Sequence, residues 1–196
     1  MKNTVVVFAR APRLGAVKRR LARDIGERAA LRFYVATLAK TLRMLKRDRR
    51  FRTLVAVTPD GASGAWTQRL PTIGQGSGHL GTRMQRVFDR HRRGRLAIVG
   101  SDIPDLRADD LADGFRRLGN AGACFGPAAD GGYWLVAMGP RRPAAAFAHV
   151  HWSSDTALAD TQRNFPGRKF VHLRELRDVD TAADLRAIMP RRGMKP

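Results

Sequence analysis

Short apolar runs alternate along the chain with longer stretches in which apolar residues recur at helical spacing. The clearest runs are residues 4–9 (TVVVFA), 53–58 (TLVAVT) and 96–100 (LAIVG). Each is continuous rather than alternating, which is typical of a strand buried on both faces of a sheet. Further strands are predicted at the start of residues 71–84 and within residues 122–128, 132–139 and 169–173.

Helical periodicity is clearest over residues 27–46. There the apolar residues recur at spacings of four and three, which places them on one face of a helix: Leu31, Val35, Leu38, Leu42 and Leu45. Further helices are predicted to end near residue 92 and to cover residues 107–119, 153–165 and 180–189.

This alternation of strands and helices predicts an α/β fold with a mainly parallel sheet. A length of 196 residues suits one domain, so residues 1–196 are predicted to form a single domain with a frayed end at 191–196. In such sheets ligands bind beyond the carboxyl ends of the strands. Three loops are predicted to lie there, residues 10–20, 101–105 and 174–181.

Composition changes this picture little. The formal charge is +20, but the basic residues are scattered and are dense only over 45–52 and 90–95, so a nucleic-acid footprint is not favoured. Residues 21–34 resemble a helix-turn-helix, a minor alternative. No apolar stretch suits a signal peptide or a membrane span, and Cys124 stands alone, so a cytoplasmic protein with a buried thiol is expected.

The loop of residues 10–20 (RAPRLGAVKRR) has the features of a phosphate cradle. Gly15 permits close backbone approach, and Lys18 and Arg20 are cations on the way into a helix. The spacing of a Walker A motif is missing. A solvated basic turn is the alternative for this loop.

Two acidic clusters follow predicted strands. Asp102 comes directly after the strand of residues 96–100, and a second cluster occupies residues 177–185 (RDVDTAADL). Carboxylates at one sheet edge can hold Mg²⁺ or Mn²⁺, which complete their shells with phosphates and water. Asp105 is better suited to a turn or helix start, and a simple helix cap is the alternative for the whole stretch.

Residues 126–135 (GPAADGGYWL) place Asp130 before Gly131 and Gly132. Glycines let a substrate approach the backbone, so Asp130 is a candidate general base on a substrate. A tight turn between two strands is a strong alternative.

Six ordered motifs together resemble the bacterial DUF2064 family of glycosyltransferase-A-like proteins: FARAPRLGAVKRRL, QGSGHLGTRM, GSDIPDL, GPAADGGYWL, HWSSDTALADT and DVDTAADL. The resemblance covers nearly the whole length. It implies a three-layer α/β/α Rossmann-like sandwich that binds a nucleoside di- or triphosphate.

The resemblance also implies roles for individual residues. Phosphates would contact Arg10, Gly15, Lys18 and Arg20, and the base or ribose would contact Gly78, Gly81 and Arg83. Asp102 and Asp180 would hold Mg²⁺ or Mn²⁺. Asp130, Gly131 and Gly132 would meet the acceptor or sugar, with Trp152 as a wall or as a buried tryptophan.

Departures from the family pattern make the pocket more cationic. His79 stands in place of an acid, Thr82 in place of Glu, Ala129 in place of a polar residue and Arg19 in place of Thr. The expected activity is metal-dependent transfer from a nucleotide-sugar donor to a small acceptor. A nucleotidyltransferase that releases pyrophosphate from an NTP is the alternative, and nucleotide binding without catalysis stays open, as does the oligomeric state.

Overall fold

A computed structural model of the chain describes residues 2–188. The strands are β1 (Asn3–Arg10), β2 (Phe51–Thr58), β3 (Thr72–Gly74), β4 (Leu96–Gly100), β5 (Ala123–Pro127), β6 (Tyr133–Met138) and β7 (Phe170–His172). The helices are α1 (Arg19–Ile25), α2 (Glu27–Arg47), α3 (Leu80–Arg90), α4 (Ala108–Leu118), α5 (Ala157–Arg163) and α6 (Ala182–Ile188). The predicted last helical residue, 189, and the predicted frayed end, 191–196, lie outside the described residues.

The strands form one seven-stranded sheet in the order β3-β2-β1-β4-β6-β5-β7. Only β6 runs antiparallel to its neighbours, β4 and β5, in the described sheet. The other pairs are parallel, and Val6 of β1 lies between Leu54 of β2 and Ile98 of β4. The predicted mainly parallel mixed sheet is therefore confirmed, and β1, β2, β4, β5 and β7 end at the same edge.

Alternate residues of each strand enter two different cores. Val5 and Val7 pack with residues of α2 and α4, whereas Val6 packs with residues of α3. Successive side chains of a strand point to opposite faces, so helices cover both faces of the sheet. This confirms the three-layer α/β/α sandwich.

Helix α2 is buried along a stripe slightly different from the predicted one. Leu38, Leu42 and Leu45 are buried as expected, but Val35 is exposed and Tyr34 is buried in its place. Tyr34 lies one turn before Leu38 on the same face, and its hydroxyl accepts a hydrogen bond from the Arg10 amide at 3.0 Å. Since this face of α2 packs on the sheet, the helix is an element of the core.

Several predicted boundaries shift. Helix α1 is a separate short helix, joined to α2 at Gly26, and α5 begins at Ala157 rather than at 153 because residues 153–156 form turns. Cys124 is buried in β5, as predicted, and this burial raises the pKa of its thiol to about 12. No helix within residues 2–188 combines the length and apolar character that crossing a bilayer requires.

Candidate active site

Four acidic side chains and Lys18 lie near the carboxyl edge of the sheet. Asp102 follows β4, Asp130 lies between β5 and β6, and Asp178 and Asp180 lie between β7 and α6. These carboxylates come from three separate parts of the chain. They share one end of the molecule because parallel strands end at the same edge.

Lys18 holds two of these carboxylates together. Its Nζ donates to Asp102 Oδ2 at 2.5 Å and to Asp180 Oδ1 at 2.7 Å. The Lys18 side chain is only 4% exposed, although Asp102 and Asp180 keep 29% and 43% of theirs exposed. Burial by itself lowers the pKa of Lys18, but the charges of the two carboxylates outweigh it and the pKa stands above 10.5. Arg20 adds a looser ion pair to Asp180 at 3.9 Å.

A third carboxylate, Asp178, completes the acidic cluster. One oxygen from each of Asp102, Asp178 and Asp180 lies within 4.8 Å of the others. Burial, and then the negative charge of Asp102 and Asp180, raises the pKa of Asp178 from 3.8 to about 6. Carboxylate oxygens are the donors that Mg²⁺ and Mn²⁺ prefer, so the residues present fit such an ion.

Sequence reasoning did not single out Asp178. It noted the cluster of residues 177–185 but assigned only Asp180 to the metal. The available signal was the spacing Asp178–Val179–Asp180, in which alternate residues of an extended segment share one side and Val179 between them is fully buried.

One half of the site is a cationic cleft of about 510 Å³. Arg10, Lys18, Arg20 and Arg83 all line it, together with Asp102 and Asp180. The structure therefore brings together four of the side chains expected to contact a nucleotide. Arg19, one of the departures from the family pattern, lines the same cleft.

Three glycines expected near the nucleotide lie beside this cleft and do not line it. Gly15 sits in a turn at φ +72°, with the Glu27 carboxylate 3.3 Å from where a Cβ would be. Gly78 offers its carbonyl to Arg83 Nε at 2.7 Å, which positions that arginine. Gly81 is buried against Trp152, where a Cβ would lie only 2.8 Å from the indole ring.

Side-chain hydrogen bonds hold the loop before α3 in place. His79 caps α3, since its ring accepts from the Thr82 amide at 3.4 Å and also bonds the Thr82 hydroxyl at 3.0 Å. Arg86 donates to the carbonyls of Gln75 at 2.5 Å and Ser77 at 3.0 Å. Two departures from the family pattern, His79 and Thr82, thus bond each other. Arg86, which the sequence did not indicate, holds the loop.

The other half of the site is a smaller pocket of about 260 Å³. Asp102, Asp130 and Asp178 line it, and Trp152 forms one wall. The two halves share Phe8, Leu80, Gly100 and Asp102, so Asp102 stands at their junction.

The segment between β5 and β6 is a tight turn that also borders the smaller pocket. The carboxylate of Asp130 accepts the Gly132 amide at 2.9 Å, as in a tight turn, while Asp130 and Gly132 also line the pocket. Gly131 is outside the lining. A Cβ there would lie 2.1 Å from the Asp155 carbonyl oxygen, so only glycine fits beneath that loop.

Several solved structures have a similar architecture. The chain is similar to a proposed nucleotide-diphospho-sugar transferase from Desulfovibrio desulfuricans G20, at 25% identity over 96% of this chain and 87% of that one, with a TM-score of 0.85. It also shares its fold with the Rv0371c homolog of Mycobacterium sp. strain JC1, at 15% identity over 96% of both chains and a TM-score of 0.60.

A third similar structure is CMP:2-keto-3-deoxy-manno-octonic acid synthetase in complex with CTP. It is 10% identical over 96% of this chain and 97% of that one, with a TM-score of 0.60. No protein of curated function matches the chain significantly.

These similarities define the class of protein. The chain has the nucleotide-diphospho-sugar transferase fold, and its similarity to the Desulfovibrio protein supports a transferase. The family follows from the sequence, because the model of DUF2064, described as "Uncharacterized protein conserved in bacteria", matches residues 41–154. The chain belongs to the DUF2064 family, as its six motifs indicated.

Proposed function

We propose that the protein is a metal-dependent glycosyltransferase that uses a nucleotide-sugar donor and a small acceptor. The observation that carries the proposal is the position of Asp102. It stands between a cleft lined by Arg10, Lys18, Arg20 and Arg83 and a pocket lined by Asp130. A diphosphate in the first and an acceptor in the second would meet at this carboxylate.

The cations of the cleft bind and orient the diphosphate. Arg20 is 68% exposed and so is free to turn toward a ligand. Lys18, by contrast, must give up its hydrogen bonds to Asp102 and Asp180 before it can donate to phosphate oxygens. Cations aimed at a leaving group stabilise the charge that develops there in the transition state.

Asp102, Asp178 and Asp180 would hold Mg²⁺ or Mn²⁺. When bound, such an ion neutralises negative charge on a departing nucleoside diphosphate. Asp130 accepts only the Gly132 amide among the described residues, which leaves its other oxygen able to take the proton of an acceptor hydroxyl.

Nucleotidyl transfer is the second candidate. The same fold occurs in a synthetase solved with CTP, and the same cations could hold a triphosphate. The products separate the two reactions. Glycosyl transfer releases an NDP from an NDP-sugar, whereas nucleotidyl transfer releases pyrophosphate from an NTP.

Calorimetric titration with NDPs, NTPs and NDP-sugars, with and without Mn²⁺, tests the proposal. Asp102→Asn should lose the Mn²⁺-dependent part of the affinity and slow transfer by on the order of 10²-fold or more, as for other groups that stabilise charge. Asp105→Asn is the matched control, since Asp105 is exposed and lies outside both halves of the site. Mn²⁺-dependent binding that survives in Asp102→Asn contradicts the proposal.

A further inference from the structure

The two halves of the site differ sharply in charge. The cationic cleft is lined by five Lys and Arg residues, Arg10, Lys18, Arg19, Arg20 and Arg83. Among the described residues, those lining the smaller pocket include no Lys, Arg or His, although the chain contains 37 Lys and Arg. The strong positive charge of the protein is therefore not found in the described lining of this pocket.

The charged groups that do line the smaller pocket are all acids. Asp130 is exposed on the loop after β5, Asp178 is half-buried, and Asp102 marks the border with the other half. Lys18 and Arg20, which pair with Asp102 and Asp180, line the cationic cleft and not this pocket. An anion in the pocket would therefore meet Asp130 and Asp178, neither of which forms an ion pair with another described residue, whereas Asp102 is paired with Lys18.

Two of the neutral polar donors in the lining already have partners within the protein. The Ser154 hydroxyl donates to the His151 carbonyl at 2.6 Å, and the Tyr133 hydroxyl is bonded to Thr161 at 3.3 Å. The Trp134 indole donates to the Arg174 carbonyl at 3.2 Å. The Ser154 hydroxyl and the Trp134 indole are therefore already used as donors, while the Tyr133 hydroxyl accepts from the Thr161 hydroxyl.

The rest of the lining is apolar. Phe8, Leu80, Met84 and Ile98 form one part of it, and the ring of Trp152 forms a wall. Rings and aliphatic side chains bind the apolar face of a molecule, while the carboxylates accept hydrogen bonds from its hydroxyl groups.

We propose that this pocket selects an uncharged, hydroxyl-bearing molecule with an apolar face and rejects carboxylated or phosphorylated ones. The inference rests on the proposed function and deepens it, because it names the class of the acceptor. It favours glycosyl transfer, since a phosphorylated acceptor would bring its negative charge beside Asp130, the carboxylate of this pocket that neither Lys18 nor the proposed ion neutralises. Rejection by unpaired like charge is a common source of specificity.

A matched pair of ligands tests the inference: phenyl β-D-glucopyranoside, which is neutral, and phenyl β-D-glucuronide, which differs in carrying a carboxylate. Two of the three tryptophans, Trp134 and Trp152, line the pocket, so intrinsic fluorescence reports occupancy. The glucoside should bind at least about tenfold more tightly than the glucuronide, as expected for like charges brought together at short range.

Charge-removing variants show whether the acids cause the difference. Asp130→Asn, and separately Asp178→Asn, should narrow the ratio of the two dissociation constants. Asp109→Asn is the control, because it removes the same charge from an 87% exposed side chain outside the pocket. Equal binding of the two ligands, tighter binding of the glucuronide, or binding of neither overturns the inference.

Calorimetry with nucleoside diphosphates and Mn²⁺ on the same preparation separates this inference from the proposed function. If nucleotides bind and the ligand pair is not discriminated, only the inference about the acceptor fails. If no nucleotide binds, the proposed function fails and the inference falls with it.

Discussion

Replacing Lys18 by Met removes the cation that joins Asp102 and Asp180. Its Nζ lies 2.5 and 2.7 Å from the two carboxylates. Removing one partner of a fully buried ion pair costs roughly 3–5 kcal/mol, because the remaining charge is left unpaired. Asp102 and Asp180 are 29% and 43% exposed, so water compensates part of this loss. We expect Lys18→Met to lower the free energy of unfolding by about 1–3 kcal/mol.

Thermal unfolding at pH 7 measures this loss. At the size of this chain, 1 kcal/mol corresponds to roughly 2–4 °C, so Tm should fall by about 2–12 °C. The pKa of Lys18 is raised in the folded protein, so its stabilisation is fully present below pH 10.5 and is lost as the pH rises further. The difference between wild type and variant should therefore shrink in strongly alkaline solution.

Added Mn²⁺ provides the sharper test. In the wild type an incoming cation must displace Lys18 from Asp102 and Asp180. In Lys18→Met, Asp102 has no ion pair among the described residues and Asp180 keeps only the looser pair to Arg20. Mn²⁺ should therefore raise the Tm of the variant more than that of the wild type, because a ligand of the folded state stabilises it.

Arg20→Met is the control for Lys18→Met. Arg20 is 68% exposed and lies 3.9 Å from Asp180, so its loss should change Tm little and leave the Mn²⁺ response close to that of the wild type. An unchanged Tm in Lys18→Met would refute the reasoning, as would a smaller Mn²⁺ response than in the wild type.

Three further predictions concern the fold and its titration. Folding raises the pKa of Asp178 from 3.8 to about 6, so between pH 3.8 and pH 6 the folded protein binds this proton more tightly than the unfolded chain does. The free energy of unfolding of the wild type should therefore fall as the pH rises across this range. Urea unfolding across this range should show a smaller fall in Asp178→Asn; an equal fall assigns the effect to another group. Phe125 is fully buried against Phe165 and Phe170, so Phe125→Ala should cost roughly 3–5 kcal/mol in urea unfolding and Phe125→Leu much less. Cys124 is buried with a pKa of about 12, so a thiol reagent such as DTNB should label it only at the rate of unfolding, and rapid labelling of folded protein would contradict that burial.

The strands were predictable because their signal is local. Residues 4–9, 53–58 and 96–100 lie within β1, β2 and β4, and their continuous apolar character reflects burial on both faces. Helix boundaries were harder. The start of α5 moved because residues 153–156 fold into turns, a preference that Ser, Asp and Thr share with helix caps.

Individual site residues were predictable where a strand end determined their position. Asp102 and Asp130 follow β4 and β5, and the carboxyl edge of a parallel sheet is the expected place for a ligand. Gly81, which was expected near the nucleotide, does not line the cleft. It lies in the expected segment, but its open side faces Trp152 instead of the cleft, and only the packing of α3 decides that direction.

The order of residues along the chain is enough to predict the layered α/β fold, the family and the strand ends at which polar side chains collect. These features depend on apolar periodicity and on residues that are near one another in the chain. The folded structure is needed to show that Lys18 lies between Asp102 and Asp180, that Asp178 joins them, and that cations line one half of the site while acids line the other. Those relations join groups up to 162 residues apart, and their charges interact through the space that the sheet topology encloses.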